Sequence, residues 1–403
     1  METNFRNETK IFYSAAFFSY LANGIIGPLF IIYLLSIKIN PAQIGILLAA
    51  ANISIIVFEF PTGLYADNYG RRKSLLISFG LFALLYSIWF FSKSFYVLLI
   101  LSVLSGIAFA FQSGARDSLI INNLKLENDD AKRNRIFARL SAYGYIGFLI
   151  GGLIAALLAF YLIKSIWLAA SLLNIVSFFL YLFFIKEDLS KQTSLKIIER
   201  GWHRIIKSSK ESLKYAVKNK PTLMLIIIAM IFALSVGAYG FGYPIFFKEI
   251  VEIPNYYFGF LGSASALMGI IGAFLGEKLV KKKGYYFTIS SFAIILLALY
   301  LLFGISSMLW LAFIIFMIIE LFINGWHPIF QSFLNKFIPS HIRTSILSLN
   351  SSATLVSIAL GNVLVGFLLT FLSSNILIIY SGILFISIPI FLLYVKMNDF
   401  LKK

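Results

Sequence analysis

Long apolar runs separated by short charged or turn-forming clusters dominate the chain. Twelve can be drawn, at about 11–37, 42–66, 74–92, 95–121, 136–163, 165–185, 221–249, 255–277, 285–305, 308–335, 344–373 and 375–395. Most match or exceed the ~20 residues that a helix needs to cross a bilayer. Backbone polar groups find no water inside lipid, so the runs are expected to be helices, and the two-residue alternation of a membrane barrel is missing. A polar stretch at 186–220 parts them six and six, predicting a bundle over 1–185, a linker over 186–220 and a second bundle over 221–403. Faint echoes relate the halves, as expected for parallel repeats. Gly24-x-x-Gly27-Pro28 in span 1 answers Gly240-x-Gly242-Tyr243-Pro244 in span 7, and Gly70-Arg71-Arg72-Lys73 answers Lys281-Lys282-Lys283-Gly284.

Composition agrees with this pattern: 60% of residues are hydrophobic and 13% charged, against roughly 25% charged in a soluble domain. The expected fold class is an all-α polytopic membrane protein. A net charge of +17 suggests nucleic acid until the basic residues are placed, for 29 of the 34 Lys and Arg fall on one side of the twelve spans. The positive-inside rule makes that side cytoplasmic, so a multi-pass protein of the cell membrane with both termini in the cytoplasm is expected, and no nucleic-acid partner. In the linker, Leu195, Ile198, Trp202, Ile205, Ile206, Leu213 and Val217 recur at helical spacing among Lys and Arg. That pattern fits a helix lying on anionic headgroups, or one that docks a protein partner. The first apolar run is too long for a signal-peptide core, so it is expected to remain in the mature chain.

Cysteine is absent and the three histidines, His203, His327 and His341, are scattered, so neither disulfides nor a metal site are expected. No phosphate-binding glycine loop, nucleophile elbow or zinc-protease motif occurs, and no cofactor or enzymatic activity is expected.

The stretch Gly63-Leu64-Tyr65-Ala66-Asp67-Asn68-Tyr69-Gly70-Arg71-Arg72-Lys73 resembles the loop 2-3 signature of the major facilitator superfamily, G-x-x-x-D-x-x-G-R-[RK]. The resemblance implies twelve helices in two pseudo-symmetric bundles, alternating access to a small solute, and coupling to an ion gradient, usually protons. It also implies a cytoplasmic gate in which Asp67, Arg71, Asp117 and Arg343 act with Gly63, Gly70 and Arg72. The bland alternative is that these charges snorkel or cap helix ends. Gly144-Tyr145-Ile146-Gly147-Phe148-Leu149-Ile150-Gly151-Gly152 resembles the family's antiporter motif, G-P-x-x-G-G, with Phe148 in place of proline. The arginine common early in span 4 of proton antiporters is absent from 95–105.

Ionisable residues inside spans are costly and face a cavity or a partner. Glu59 is either a carboxylate that loads and releases a proton or a static partner of Arg116. Glu320, Asn324 and His327 fall at i, i+4 and i+7 on span 10, along one helix face. Glu320 is a second candidate for coupling or for binding a cationic solute. His327, which titrates near neutrality when unperturbed, is either a third proton carrier or a hydrogen-bonded structural residue. Pro328 beside it predicts a kink. The Gly/Pro interruptions of spans 1 and 7 point to a midplane binding region, near which Tyr20, Asn23, Tyr239, Tyr243 and Trp326 are placed; with Arg116, near the cytoplasmic end of span 4, and Asn324 they are the substrate-cavity candidates, packing being the alternative for each aromatic. The expected activity is proton-coupled efflux of a small organic solute by a monomer. Nutrient uptake or facilitated diffusion is the alternative, and a non-transporting receptor or scaffold is the reading from another class.

Overall fold

The computed structural model describes residues 2–126, 129–187, 212–339 and 342–400. Most of the expected linker helix, Leu195 to Ile206 included, lies outside the described residues; its end, over 212–218, is helical with Leu213 and Val217 exposed.

Helix α1 (Glu2–Ile26) passes through a 3-10 turn at Gly27–Leu29 into α2 (Phe30–Ser36), and α3 (Pro41–Tyr69) and α4 (Arg71–Phe91) follow. The fourth crossing is made in two pieces, α5 (Phe95–Gln112) and α6 (Ala115–Asn123), and α7 (Asp130–Leu162) and α8 (Ser165–Phe184) complete the first six. Then come α9 (Lys220–Glu249), α10 (Tyr257–Ile305), α11 (Leu309–Asn335) and α12 (Arg343–Leu368). The last crossing is α13 (Ser374–Ile383), a 3-10 turn and α14 (Ser387–Phe400). No strand occurs among the described residues.

Helix starts follow local chemistry. Asn40 and Gln43 form a reciprocal capping box at α3 with Pro41 in the first turn, Asp129 caps α7 through Lys132 N, and Asn219 caps α9 ahead of Pro221. Each side-chain oxygen takes up one of the N–H groups that a helix start leaves unpaired. Eleven helical stretches among the described residues are long and apolar enough to span a membrane. One of them, α10, runs for 49 residues, about 73 Å at 1.5 Å per residue, against a hydrocarbon core of ~30 Å. It is broken at Gly284, where φ is 80° and ψ is 171°, so the expected spans 8 and 9 are its two halves and the crossings number twelve.

The chain divides into two compact units. Unit 1 holds Met1–Gln43, Ala50–Ile198 and Pro254–Ala266, and unit 2 holds Ile44–Ala49, Glu199–Ile253 and Leu267–Lys403. In unit 1, α1 packs along α7 and α8, and α4 along α8 and α5. The α1–α7 seam is a backbone contact: a Cβ on Gly147 or Gly151 would stand 2.5 Å from Phe17 O or Leu21 O, and Gly24 meets the backbone of Phe148 as closely. The glycine run that resembles the antiporter motif is thus used for packing. In unit 2, α9 packs on α12, α13 and α14, and a Cβ on Gly325 would stand 2.6 Å from Gly272 O.

One expectation about the repeats is corrected. The first Gly/Pro element does interrupt the helix, as the 3-10 turn at Gly27–Leu29, but α9 continues unbroken through Pro244. The ring removes one hydrogen bond. Phe241, Ile245, Phe246 and Phe247 around it are at most 1% exposed, and that packing holds the helix together.

Candidate functional site

The loop joining α3 to α4 is a single residue, Gly70, with φ 111° and ψ 136°. A side chain is strained in that region of backbone space, so the sequence turns there on glycine. Asp67 is on the last turn of α3 and Arg71 on the first of α4, and they pair at 3.5 Å (Oδ1 to Nη2) with Asp67 67% exposed. Such an exposed pair contributes ~0–1 kcal/mol. The anchoring is done by other bonds. Arg71 Nη1 donates to Ser118 O at 3.3 Å, and Arg72 donates from Nε to Tyr181 O at 3.0 Å and from Nη2 to Leu182 O at 2.5 Å. The two arginines thereby tie the loop to α6 and to the end of α8.

Glu187, just past α8, closes the cluster. Its Oε1 accepts from Arg71 N at 2.9 Å and its Oε2 from Arg72 N at 2.8 Å. A carboxylate that takes both backbone donors at a helix start satisfies two orphan N–H groups and sits at the positive end of the helix dipole. The capping acid at this hinge is therefore Glu187, where the sequence directed attention to Asp67. Its only available signal was an acid directly after an apolar run, and nothing periodic links two positions 116 residues apart.

Arg116 and Asp117 lie in the first turn of α6, after a break at Gly114 with φ 70°. They pair with each other at 3.2 Å, and the Arg116 guanidinium stands 6.0 Å from the centre of the Tyr20 ring. Glu59, half-buried on α3, accepts a hydrogen bond from Ser113 Oγ at 3.3 Å. The static Glu59–Arg116 pair considered from sequence is not formed, because Arg116 is held by the adjacent acid. Gly63 is inside α3 with nothing within 4 Å of a built Cβ, and Asn23 is exposed on α1. In unit 2, Arg343 is exposed at the head of α12.

The polar stripe on α11 runs from buried to exposed. Glu320 is 9% exposed, Asn324 is half-buried and His327 is exposed. Asn324 Nδ2 donates to Glu320 O at 2.8 Å and to Oε2 at 3.2 Å. His327 forms no hydrogen bond among the described residues, so the structural role considered for it has no partner here. Trp326 is 2% exposed, stacked at 4.3 Å on Phe232 and at 5.6 Å on Phe330; it packs in the core of unit 2. Tyr239 and Tyr243 gather on α9 with ring centres 5.4 Å apart. Among the described residues no group of three or more His, Asp or Glu could hold a metal ion.

The sequence model of the Major Facilitator Superfamily matches residues 12–361. The chain belongs to this superfamily. Among curated superfamily proteins, an uncharacterized MFS-type transporter of Bacillus subtilis (strain 168), YxaM, is 26% identical over 97% of this chain and 96% of its own. Multidrug resistance protein 2 of the same organism is 24% identical over 69% of each chain. The crystal structure of the nucleoside transporter NupG superposes with a TM-score of 0.79 at 13% identity, over 96% of this chain and 98% of that one; at that identity the likeness is one of fold. Superfamily membership makes the chain an integral membrane transporter with a small-molecule substrate, and the Gly70 hinge lies in the stretch that resembles the loop 2-3 signature.

Proposed function

We propose that the protein exchanges protons for a small organic solute in the efflux direction, by alternating access. The observation that carries this reading is a carboxylate within the membrane-spanning helices of each unit: Glu59, half-buried against Ser113, and Glu320, buried against Asn324. Intramembrane acids are retained at a cost and mark ion or substrate pathways. The likeness to a multidrug resistance protein supports the direction. In this reading Asp67, Arg71, Arg72, Asp117 and Arg343 govern the cytoplasmic side, with Gly63 and Gly70 setting the path of α3 and its hinge. His327 is an accessory proton carrier, and Tyr20, Asn23, Arg116, Tyr239, Tyr243 and Asn324 contact the solute. The chain sits in the cell membrane as a monomer with both termini in the cytoplasm, and the basic linker lies on anionic headgroups.

The test is transport by purified protein in liposomes with a pH-sensitive dye inside, against cationic dyes, drugs, sugars and organic acids, beside Glu59→Gln and Glu320→Gln. Solute-dependent proton movement by wild type, lost in at least one variant, is the expected result. Solute flux without proton flux leaves a facilitator, and no flux of any solute leaves a receptor.

A further inference from the structure

Phe316, Glu320 and Asn324 follow one another at four-residue intervals on α11, so a ring, a carboxylate and an amide share one face of that helix. Aromatic rings from α9 and α10 stand against it, all within unit 2. Tyr243 is 5.1 Å from Phe316, Tyr239 is 5.4 Å from Tyr243, and Tyr300 is 4.9 Å from Tyr239. The Glu320 carboxylate lies within Coulombic reach of all three tyrosines.

The tyrosine hydroxyls are the telling groups. Tyr239 is 1% exposed and its hydroxyl has no hydrogen-bond partner among the described residues, while Tyr300 is 0% exposed with its hydroxyl facing Ser235. Ser235, beside Tyr300, gives its own proton to Ser381 O at 2.7 Å. Buried polar atoms are almost always paired, and those left over point to a missing ligand or a working role. The unpartnered Tyr239 hydroxyl, the Tyr300 hydroxyl and the Glu320 carboxylate bring three acceptor groups among these aromatic rings, with half-buried Tyr243 and Asn324 beside them.

We propose that this face of unit 2 recognises a protonated primary or secondary amine, the ammonium resting on the Glu320 carboxylate while its N–H groups bond the Tyr239 and Tyr300 hydroxyl oxygens. The acceptors match the donors of an ammonium head, and the ring faces attract the same charge. An anion is repelled by Glu320. A quaternary ammonium fills the aromatic walls yet has no N–H for the two hydroxyls, and a neutral alcohol brings no charge to the carboxylate. The site deepens the transport reading above, resting on it only in taking the bound amine as the solute that is carried.

Isothermal titration of the full chain in lipid nanodiscs tests the site without requiring transport. The probes are phenethylammonium, its N,N,N-trimethyl counterpart and 2-phenylethanol. Wild type is expected to bind the primary amine, the trimethyl form about tenfold more weakly or worse, and the alcohol least of all. Tyr239→Phe and Tyr300→Phe each remove one oxygen and should weaken the primary amine about tenfold, the scale of a hydrogen bond to a charged group, while leaving the trimethyl form unchanged. Glu320→Gln should abolish amine binding. Because that substitution can compromise folding, the amine series on wild type and the two Tyr→Phe variants decide the matter. Equal affinity for the three probes, no binding of the primary amine, or Tyr→Phe variants with wild-type affinity each overturns the proposal. Proton-coupled flux of another solute with no amine binding keeps the transport reading and removes this site. Amine binding without proton flux keeps the site and removes the coupling.

Discussion

Glu187 shows how much a single carboxylate can organise when it meets a helix start. Its two oxygens take Arg71 N and Arg72 N at 2.9 and 2.8 Å, whereas Asp67, the acid of the signature-like stretch, makes among the described residues only an exposed pair at 3.5 Å. Removing a side-chain cap costs about 0.5–2 kcal/mol, and an exposed ion pair is worth ~0–1 kcal/mol. Glu187→Ala should therefore lower the melting temperature of the purified protein more than Asp67→Ala, and Glu187→Gln, which keeps one strong acceptor, should fall between. Thermal unfolding in one detergent checks the order, and an Asp67→Ala variant less stable than Glu187→Ala would refute the assignment of the cap. At this scale the sequence was partly legible. Asp67, Arg71 and Arg72 could be found because they sit in one contiguous motif. Glu187 and Tyr300 could not, since their roles come from contacts between helices distant in sequence, and neither residue type is unusual where it stands. Trp326 stood out in the sequence as a cavity candidate with packing as the alternative, and its stacking on Phe232 is the packing arrangement.

Helix limits were largely readable, because charge clusters and caps end the apolar runs. The departures fall where an element obeys tertiary packing: α9 carries Pro244 without a break, and the halves of α10 join at one glycine. Gly70 and Gly284 occupy matching places in the two repeats, each a one-residue hinge with positive φ beside a basic cluster. The basic echo seen in the sequence is thus an echo of backbone geometry, with arginines following the hinge in unit 1 and Tyr285 and Tyr286 in unit 2. Gly63 offers the contrast, being helical with open space around a built Cβ. Gly70→Ala and Gly284→Ala should each lose about 1–3 kcal/mol through backbone strain, while Gly63→Ala should be neutral or gain about 0.5–1 kcal/mol from helix propensity. Melting temperatures of the three variants separate the cases; equal values for all three would show that neither hinge is strained by a side chain.

An even number of crossings returns the chain to the side on which it began, so the count of twelve places both ends together whichever way the protein inserts. The count rests on α10, whose 49 residues are too long for a single passage and which turns at Gly284. The fold was the most legible level of all, because lipid allows the backbone few solutions and the apolar runs record them directly. Direction of insertion is a separate matter, decided by charge: Lys281, Lys282 and Lys283 lie beside Gly284 at one end of α10's two halves, and Lys93 lies between α4 and α5 at an end that bears few charges. The absence of cysteine makes this directly measurable, since any introduced thiol is the only one in the chain. Lys93 and Lys282 are both exposed, so Lys93→Cys and Lys282→Cys are accessible to a membrane-impermeant maleimide from whichever side each faces. The positive-inside rule predicts that intact cells label Lys93→Cys, and that Lys282→Cys reacts only after permeabilisation. The opposite pattern would invert the topology and carry the Gly70 hinge and its arginines to the outer face. Labelling of both variants in intact cells would mean that the two loops share a side, and the five crossings drawn between them would then be wrong by one.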